Sequence, residues 1–250
     1  MNAVYMLWLR QLKRWARSKP RVIASLGQPL LYLLAMGFGF GPIFKMAGRG
    51  NYIQFIAPGV IAMTVLFNSI FSGIELFWDR QFGFLKETLI SPTPRYMVML
   101  GRTLGGATTA MIQGLMVAVV CVAVGFRFNS IYTLPMAVVF LSGIAITFTA
   151  LGTAIASLLN DFQGFQLVIN CVVMPIFFLS GAIFPLDNLP RAMAVVSDLD
   201  PLSYGVDGLR ATLNGAAQAH FGIGTDLVVL CVLASVLLAL GSWLFSRIQL

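Results

Sequence analysis

The residues with chemistry to offer are few and fall into three groups. The densest is the stretch WDRQFGFLKETLISPTPRYMVMLGR from Trp78 to Arg102, which carries Asp79, Arg80, Lys86, Glu87, Arg95 and Arg102. A second group is the D-x-D pair Asp198 and Asp200 with the single histidine, His220. The third is the two acids at the edges of long apolar runs, Glu75 and Asp161. None of these supplies a nucleophile with a base and an orienting group, so no catalytic residue is assigned. One histidine excludes a histidine metal cluster, and an isolated D-x-D pair is a weak cation signal, so no metal ligand is assigned either. No G-x-x-x-x-G-K-S/T loop occurs, and the chain does not cradle nucleotide phosphates in that way. Cys121, Cys171 and Cys231 lie within apolar runs without a C-x-x-C pair and read as small core residues.

The elements that must hold these residues are set by composition. Hydrophobic residues make up 58% of the 250 residues and charged residues 10%, with a mean hydropathy of +0.88. A soluble domain carries about 25% charged residues, and this chain has too little polar surface to cover six buried helices. Charge-free intervals mark six transmembrane helices near 22–44, 53–77, 103–126, 131–159, 164–186 and 226–246, each long enough for a hydrocarbon core of about 30 Å. The interval 128–160 exceeds one span and falls short of two. It reads as one long tilted helix entered through Pro135. The expected fold is an all-α integral membrane protein forming a single transmembrane domain over 1–250.

Lysine and arginine orient it. Eleven lie on the side of the termini, in the N-terminal segment, the 78–102 stretch and at Arg247, against five on the other side: Lys45, Arg49, Arg127, Arg191 and Arg210. The positive-inside rule places both termini in the cytoplasm, the protein being multi-pass in the cell (inner) membrane. The net charge of +7 is then a topology signal, and no nucleic-acid partner is expected. The basic start and the run 22–44 read as an uncleaved anchor, the run being too long for a signal peptide and lacking an A-x-A-like site.

Two segments have sharply divided faces. In residues 1–21, Val4, Trp8, Leu12 and Trp15 face one way, while Arg10, Lys13, Arg14 and Arg17 face the other. This is an amphipathic helix at the membrane interface, with Trp8, Trp15, Lys13 and Arg14 meeting the bilayer. A cuff framing a lateral entry and a simple anchor both fit it. From Trp78, a second amphipathic helix puts Trp78, Phe82, Leu85 and Leu89 on one face, with Arg80, Gly83 and Glu87 opposite, until Ser91-Pro92-Thr93-Pro94 stops it. Such a charged element at 78–95 suits docking to a soluble partner, although an interfacial helix without a partner has the same pattern. The segment 187–225 is external, broken by Pro185, Pro190 and Pro201 into short helices that dip into the outer leaflet.

Polar residues within the spans are sparse. Asn68, Glu75, Gln113 and Asn170 are candidates for a substrate path, and Asn68, Gln113 and Asn170 serve equally as glue between helices. Glu75 and Asp161 are near enough to the interface to pair with Arg80 or Lys86. Gly37 and Gly41 form one G-x-x-x-G pair. A wall this apolar suits an amphipathic or lipid-linked substrate. An ion-coupled carrier or channel would need more midplane charge. A membrane-embedded lipid-modifying enzyme would need acids or histidines clustered at one interface.

Against this background ELFWDRQFGFLKETLISPTPR (Glu75 to Arg95) resembles the signature region of type-2 ABC transporter permease subunits, in their drug-export and nodulation-factor (lipo-oligosaccharide) export branch. FPLDNLP (Phe184 to Pro190) followed by DPLSYGVDGLR (Asp200 to Arg210) is similar to that family's segment before the last span. The resemblance covers essentially the whole chain. It implies an exporter of two permeases, a homodimer or a pairing with a related permease, with two copies of a separate ABC ATPase subunit. ATP and Mg would be bound by that partner, and this chain would hold no cofactor and be no enzyme. It further implies a coupling helix from Asp79 to Glu87, with Asp79, Arg80, Phe82, Gly83, Lys86 and Glu87 in the ATPase contact, Ser91, Pro92 and Arg95 shaping the return to the membrane, and external re-entrant helices closing the outer mouth.

Overall fold

A computed structural model describes residues 3–48, 50–83, 94–159, 161–186, 190–215 and 219–246. Among the described residues all regular structure is helical. Helix α1 (Ala3–Arg17) is followed by α2 (Lys19–Met46), α3 (Tyr52–Phe71), α4 (Ile74–Gln81) and α5 (Arg95–Val124). A 3₁₀ turn at Ile131–Thr133 leads into α6 (Leu134–Leu158). Then come α7 (Phe162–Val168), a π-helical stretch Ile169–Val173, α8 (Met174–Leu179), α9 (Arg191–Leu199), α10 (Pro201–Asn214) and α11 (Ile223–Ser246).

Six segments are long and apolar enough to span a membrane: Val22–Met46, Tyr52–Asp79, Arg95–Val124, Ile131–Leu158, Phe162–Leu179 and Ile223–Phe245. They agree with the six apolar runs in number and order. The interval 128–160 forms one span, with Pro135 in the first turn of α6, where a missing N–H costs nothing. Span 5 is shorter than its apolar run. α8 ends at Leu179, and Gly181 then takes a left-handed φ of +71°. The π stretch just upstream of Pro175 is where that proline interrupts the regular hydrogen-bond ladder.

Spans 2 and 4 are the most enclosed, and spans 1 and 6 the least. α3 and α6 approach closely near their C-terminal ends, where two glycines allow it. A Cβ on Gly73 would lie 2.4 Å from the Gly152 carbonyl oxygen, and one on Gly152 would lie 2.6 Å from that of Ile70. Backbone thus meets backbone, as small residues allow in membrane bundles. Val60, Ile61, Val65, Ile144 and Phe148 belong to the buried core of the bundle.

The two ends of the bundle differ. One carries α1, the end of span 2 and the start of span 3. The other carries α9 and α10. α10 lies against α3, α6 and α11, with most of Leu202–Leu213 buried. It is therefore enclosed by protein, where the sequence pattern led us to expect contact with the lipid leaflet.

Candidate functional site

At the α1 end the charged residues converge. Asp79 closes the last turn of span 2 and is buried, with 5% of its side chain exposed. Its Oδ2 accepts from Arg102 of α5, itself 6% exposed. Its Oδ1 accepts from Arg10 at 3.1 Å and faces Arg14 at 3.6 Å, both from α1. One turn earlier, Glu75 Oε2 accepts from Arg14 at 3.3 Å and from Gln11 Nε2 at 3.5 Å. The terms are unequal. Removing one partner of the buried Asp79–Arg102 pair strands the other charge, at a cost of about 3–5 kcal/mol. Arg10 and Arg14 are 38% and 42% exposed, and such pairs contribute about 0–1 kcal/mol each.

The seat of α1 is built by glycine. Gly101 and Gly105 lie at i and i+4 on α5. A Cβ on the first would meet Leu7 Cβ at 2.9 Å, and one on the second would meet Gln11 Oε1 at 2.1 Å. Trp8 Nε1 adds a hydrogen bond to Thr108 Oγ1 at 3.0 Å. The apolar face of α1 thus rests on α5, and Arg10 and Arg14 turn toward Asp79 and Glu75. Lys13 is exposed.

Where α1 meets spans 1 to 3 there is a narrow cleft of 60 Å³ lined by Gln11, Arg14, Trp15, Ser25, Asn68 and Glu75, among others. Two of the four path candidates, Asn68 and Glu75, are thus brought together. Gln113 is buried beside it, donating to Val22 O at 3.2 Å and to Ser25 Oγ, and so acts as a tie between spans 1 and 3. Asn170 is elsewhere, exposed on the π stretch of span 5. Among the described residues, Glu75 takes Arg14 and Asp161 caps α7 by accepting from Gly164 N at 3.1 Å; the Arg80 side chain and Lys86, the partners anticipated, lie outside the described residues.

The amphipathic helix read from Trp78 to Leu89 is not continuous. α4 ends at Gln81, and Gly83 follows with φ +80°, the left-handed residue that closes many helices. Trp78 and Phe82 stack, with ring centroids 5.9 Å apart, and both are exposed. Lys86, Glu87, Ser91 and Pro92 lie outside the described residues. Arg95 opens α5 and is exposed.

At the opposite end, a cavity of 660 Å³ is lined by Phe44, Gln54, Ser180, Asp207, Arg210 and His220, among others. Its charged groups have internal partners. Arg210 donates to Gly181 O at 2.8 Å and lies 4.2 Å from the Phe55 ring centroid. Asp207 accepts from the backbone N–H groups of His220 and Phe221. No three His, Cys, Asp or Glu side chains among the described residues are grouped to hold a metal ion.

The described residues thus form an apolar six-span bundle with a charged cluster at one end and two short helices, α9 and α10, at the other, and the comparison with known proteins gives its family. Residues 2–214 match the family described as ABC-2 type transporter. The chain belongs to the ABC-2 type transporter family. Similar proteins include Nodulation protein J of Rhizobium meliloti (strain 1021), 28% identical over 246 residues, covering 96% of this chain and 92% of the relative. Nodulation protein J of Rhizobium leguminosarum bv. trifolii is 29% identical over 214 residues, covering 84% and 80%. A putative transport permease, ycf38, of Cyanophora paradoxa is 27% identical over 245 residues, covering 91% and 82%. This ABC-2 permease is thus a multi-pass membrane transport protein.

Sequence reasoning missed Arg102 as a buried partner, having counted it among the loop cations, and missed the Gly101–Gly105 seat. The signal for both was present, since Arg102 lies inside a glycine-punctuated apolar stretch, G-R-T-L-G-G.

Proposed function

We propose that this ABC-2 permease is the membrane subunit of an ATP-driven exporter in the cytoplasmic membrane, with both termini in the cytoplasm, moving a hydrophobic, amphipathic or lipid-linked substrate outward. Two copies pair with two copies of an ABC ATPase subunit, and ATP and Mg²⁺ are bound there. The observation that carries the reading is how the chain leaves and re-enters the bundle. α4 stops at Gln81, α5 begins at Arg95, and the buried Asp79–Arg102 pair ties the flanks together. The flanks of the segment that carries Lys86 and Glu87 are thus fixed to each other, which suits a partner-docking element between them. The exposed apolar faces of α2, α7–α8 and α11 leave room for lipid and a second copy.

Energy would enter as motion of the 84–93 segment and pass into spans 2 and 3, exchanging two access states. Substrate enters from the inner leaflet beside Asn68 and Glu75. The test is a mild-detergent pull-down of the tagged chain from its native membrane, with mass spectrometry of what accompanies it. An ATPase subunit present in stoichiometric amount, and lost in the Arg80→Ala/Glu87→Ala double variant, is the expected result. A stable preparation of this chain alone would instead favour an ion-coupled carrier or a lipid-modifying enzyme.

A further inference from the structure

Asp79 falls in the stretch that resembles a coupling contact, yet its carboxylate is fully engaged inside the protein. Oδ2 is held by Arg102 and Oδ1 by Arg10 and Arg14, so neither oxygen is open to a partner chain. The three arginines come from two elements, α1 and α5, and Asp79 itself from a third, α4. The 84–93 segment connects α4 to α5. One side chain therefore joins both flanks of that segment to the N-terminal helix.

The surrounding charge makes this junction depend on Asp79. Arg10, Arg14 and Arg102 converge on Asp79, and Arg14 also reaches Glu75. Without Asp79, the buried Arg102 would lose its carboxylate partner and α1 would lose its ion pairs to the end of span 2, weakening the tie between α1, α4 and α5 over Gly101 and Gly105. α1 also supplies Gln11, Arg14 and Trp15 to the cleft that contains Asn68 and Glu75. A movement of α1 is thus a change in the width of that cleft.

We propose that Asp79 is a positioning residue for coupling, a pin that makes α1, the end of span 2 and the start of span 3 move as one unit, so that displacement of the 84–93 segment alters the cleft between α1 and spans 1 to 3. The proposal rests on the reading that an ATPase subunit drives that segment. Docking contacts then belong to other residues of the segment, and Asp79 acts one layer inside.

Hydrogen–deuterium exchange of the full chain in lipid nanodiscs tests the pin without any partner. In Asp79→Asn, backbone amides of residues 3–17 should exchange at least ten-fold faster than in the wild type, while Leu134–Leu158 retains its protection. The Arg10→Gln/Arg14→Gln variant, altered at half-exposed positions with less risk to folding, should shift 3–17 in the same direction. Unaltered exchange of α1 in both variants would overturn the proposal. A second measurement uses the complex as purified with its ATPase subunit. Addition of ATP should change the exchange of α1 in the wild type, and Arg102→Gln should abolish that change. A nucleotide response of equal size in Arg102→Gln would overturn transmission through the pin. Absence of any ATPase subunit would defeat the exporter reading instead, while the nanodisc result would still decide whether Asp79 holds α1.

Discussion

Asp200 shows at the scale of one residue how the α10 end is held. It is the N-cap of α10, accepting from Leu202 N at 2.8 Å and from Ser203 Oγ at 3.4 Å. Burial pushes its carboxyl up to about 7, against the two hydrogen bonds that favour the charged form. The native state therefore binds a proton that the unfolded chain releases near pH 4. Its contribution to stability is fully present below that pH and is lost as pH rises through 7, with a slope of about 1.4 kcal/mol per pH unit between the two values. Thermal unfolding in detergent should accordingly show a lower midpoint at pH 8 than at pH 5.5. Asp200→Asn keeps a capping oxygen and should flatten that dependence; an equally steep profile in the variant would assign it to other groups. In sequence, Asp200 was legible as half of a D-x-D pair and not as a buried acid, because burial comes from helices far away in the chain. Asp79 is the same case: its charge and its place in an amphipathic pattern were visible, and its three arginine partners, 23 to 69 residues away, were not.

The elements were read best where one local property decides them. Six apolar runs bounded by charges gave six spans, since hydrophobic length alone determines what crosses a membrane. The single helix over 131–158 followed from length and Pro135. The helix expected from Trp78 to Leu89 is interrupted at Gly83, a residue that accepts positive φ, and its part beyond Gly83 lies outside the described residues. The G-x-x-x-G pair at Gly37 and Gly41 packs modestly: a Cβ at Gly37 would touch Ile53, and one at Gly41 would meet nothing within 4 Å. Closer approaches are made elsewhere, at Gly59, Gly73, Gly105, Gly152 and Gly208 among others, because what matters is the helix opposite, which the pattern does not name. Two substitutions separate the roles. Gly152→Ala sets a methyl against the Ile70 carbonyl, where only backbone could yield, and should destabilise the bundle by about 1–3 kcal/mol, read as a lower unfolding midpoint. Gly105→Leu strikes the Gln11 side chain and should free α1 while the spans stay folded. Trypsin would then cut within residues 10–21 faster than in the wild type, with the core fragment surviving. Loss of the whole bundle in Gly105→Leu would show that α1 is part of the core and not a separately seated helix.

For the whole molecule the distribution of charge and the arrangement of the helices make one joint statement about orientation. α1 and both flanks of the 84–93 segment gather at one end, the end with most of the lysines and arginines. Tyr132, in the turn that opens span 4, belongs to the opposite end and is 95% exposed. If the basic end is cytoplasmic, as the positive-inside rule requires, a cysteine at Tyr132 faces the outside of the cell and one at Lys13 does not. In a background with Cys171 and Cys231 changed to serine, a membrane-impermeant maleimide should label Tyr132→Cys in intact cells. Lys13→Cys should react only after the membrane is opened. The reverse pattern would invert the molecule, place α1 and the 84–93 segment outside, and remove any route by which a cytoplasmic ATPase reaches them. Labelling of both positions in intact cells would mean a mixed insertion, which eleven cations against five argue against. Orientation and energy source are in this way a single question, because the face that carries the excess positive charge is also the face where Asp79 joins three helices.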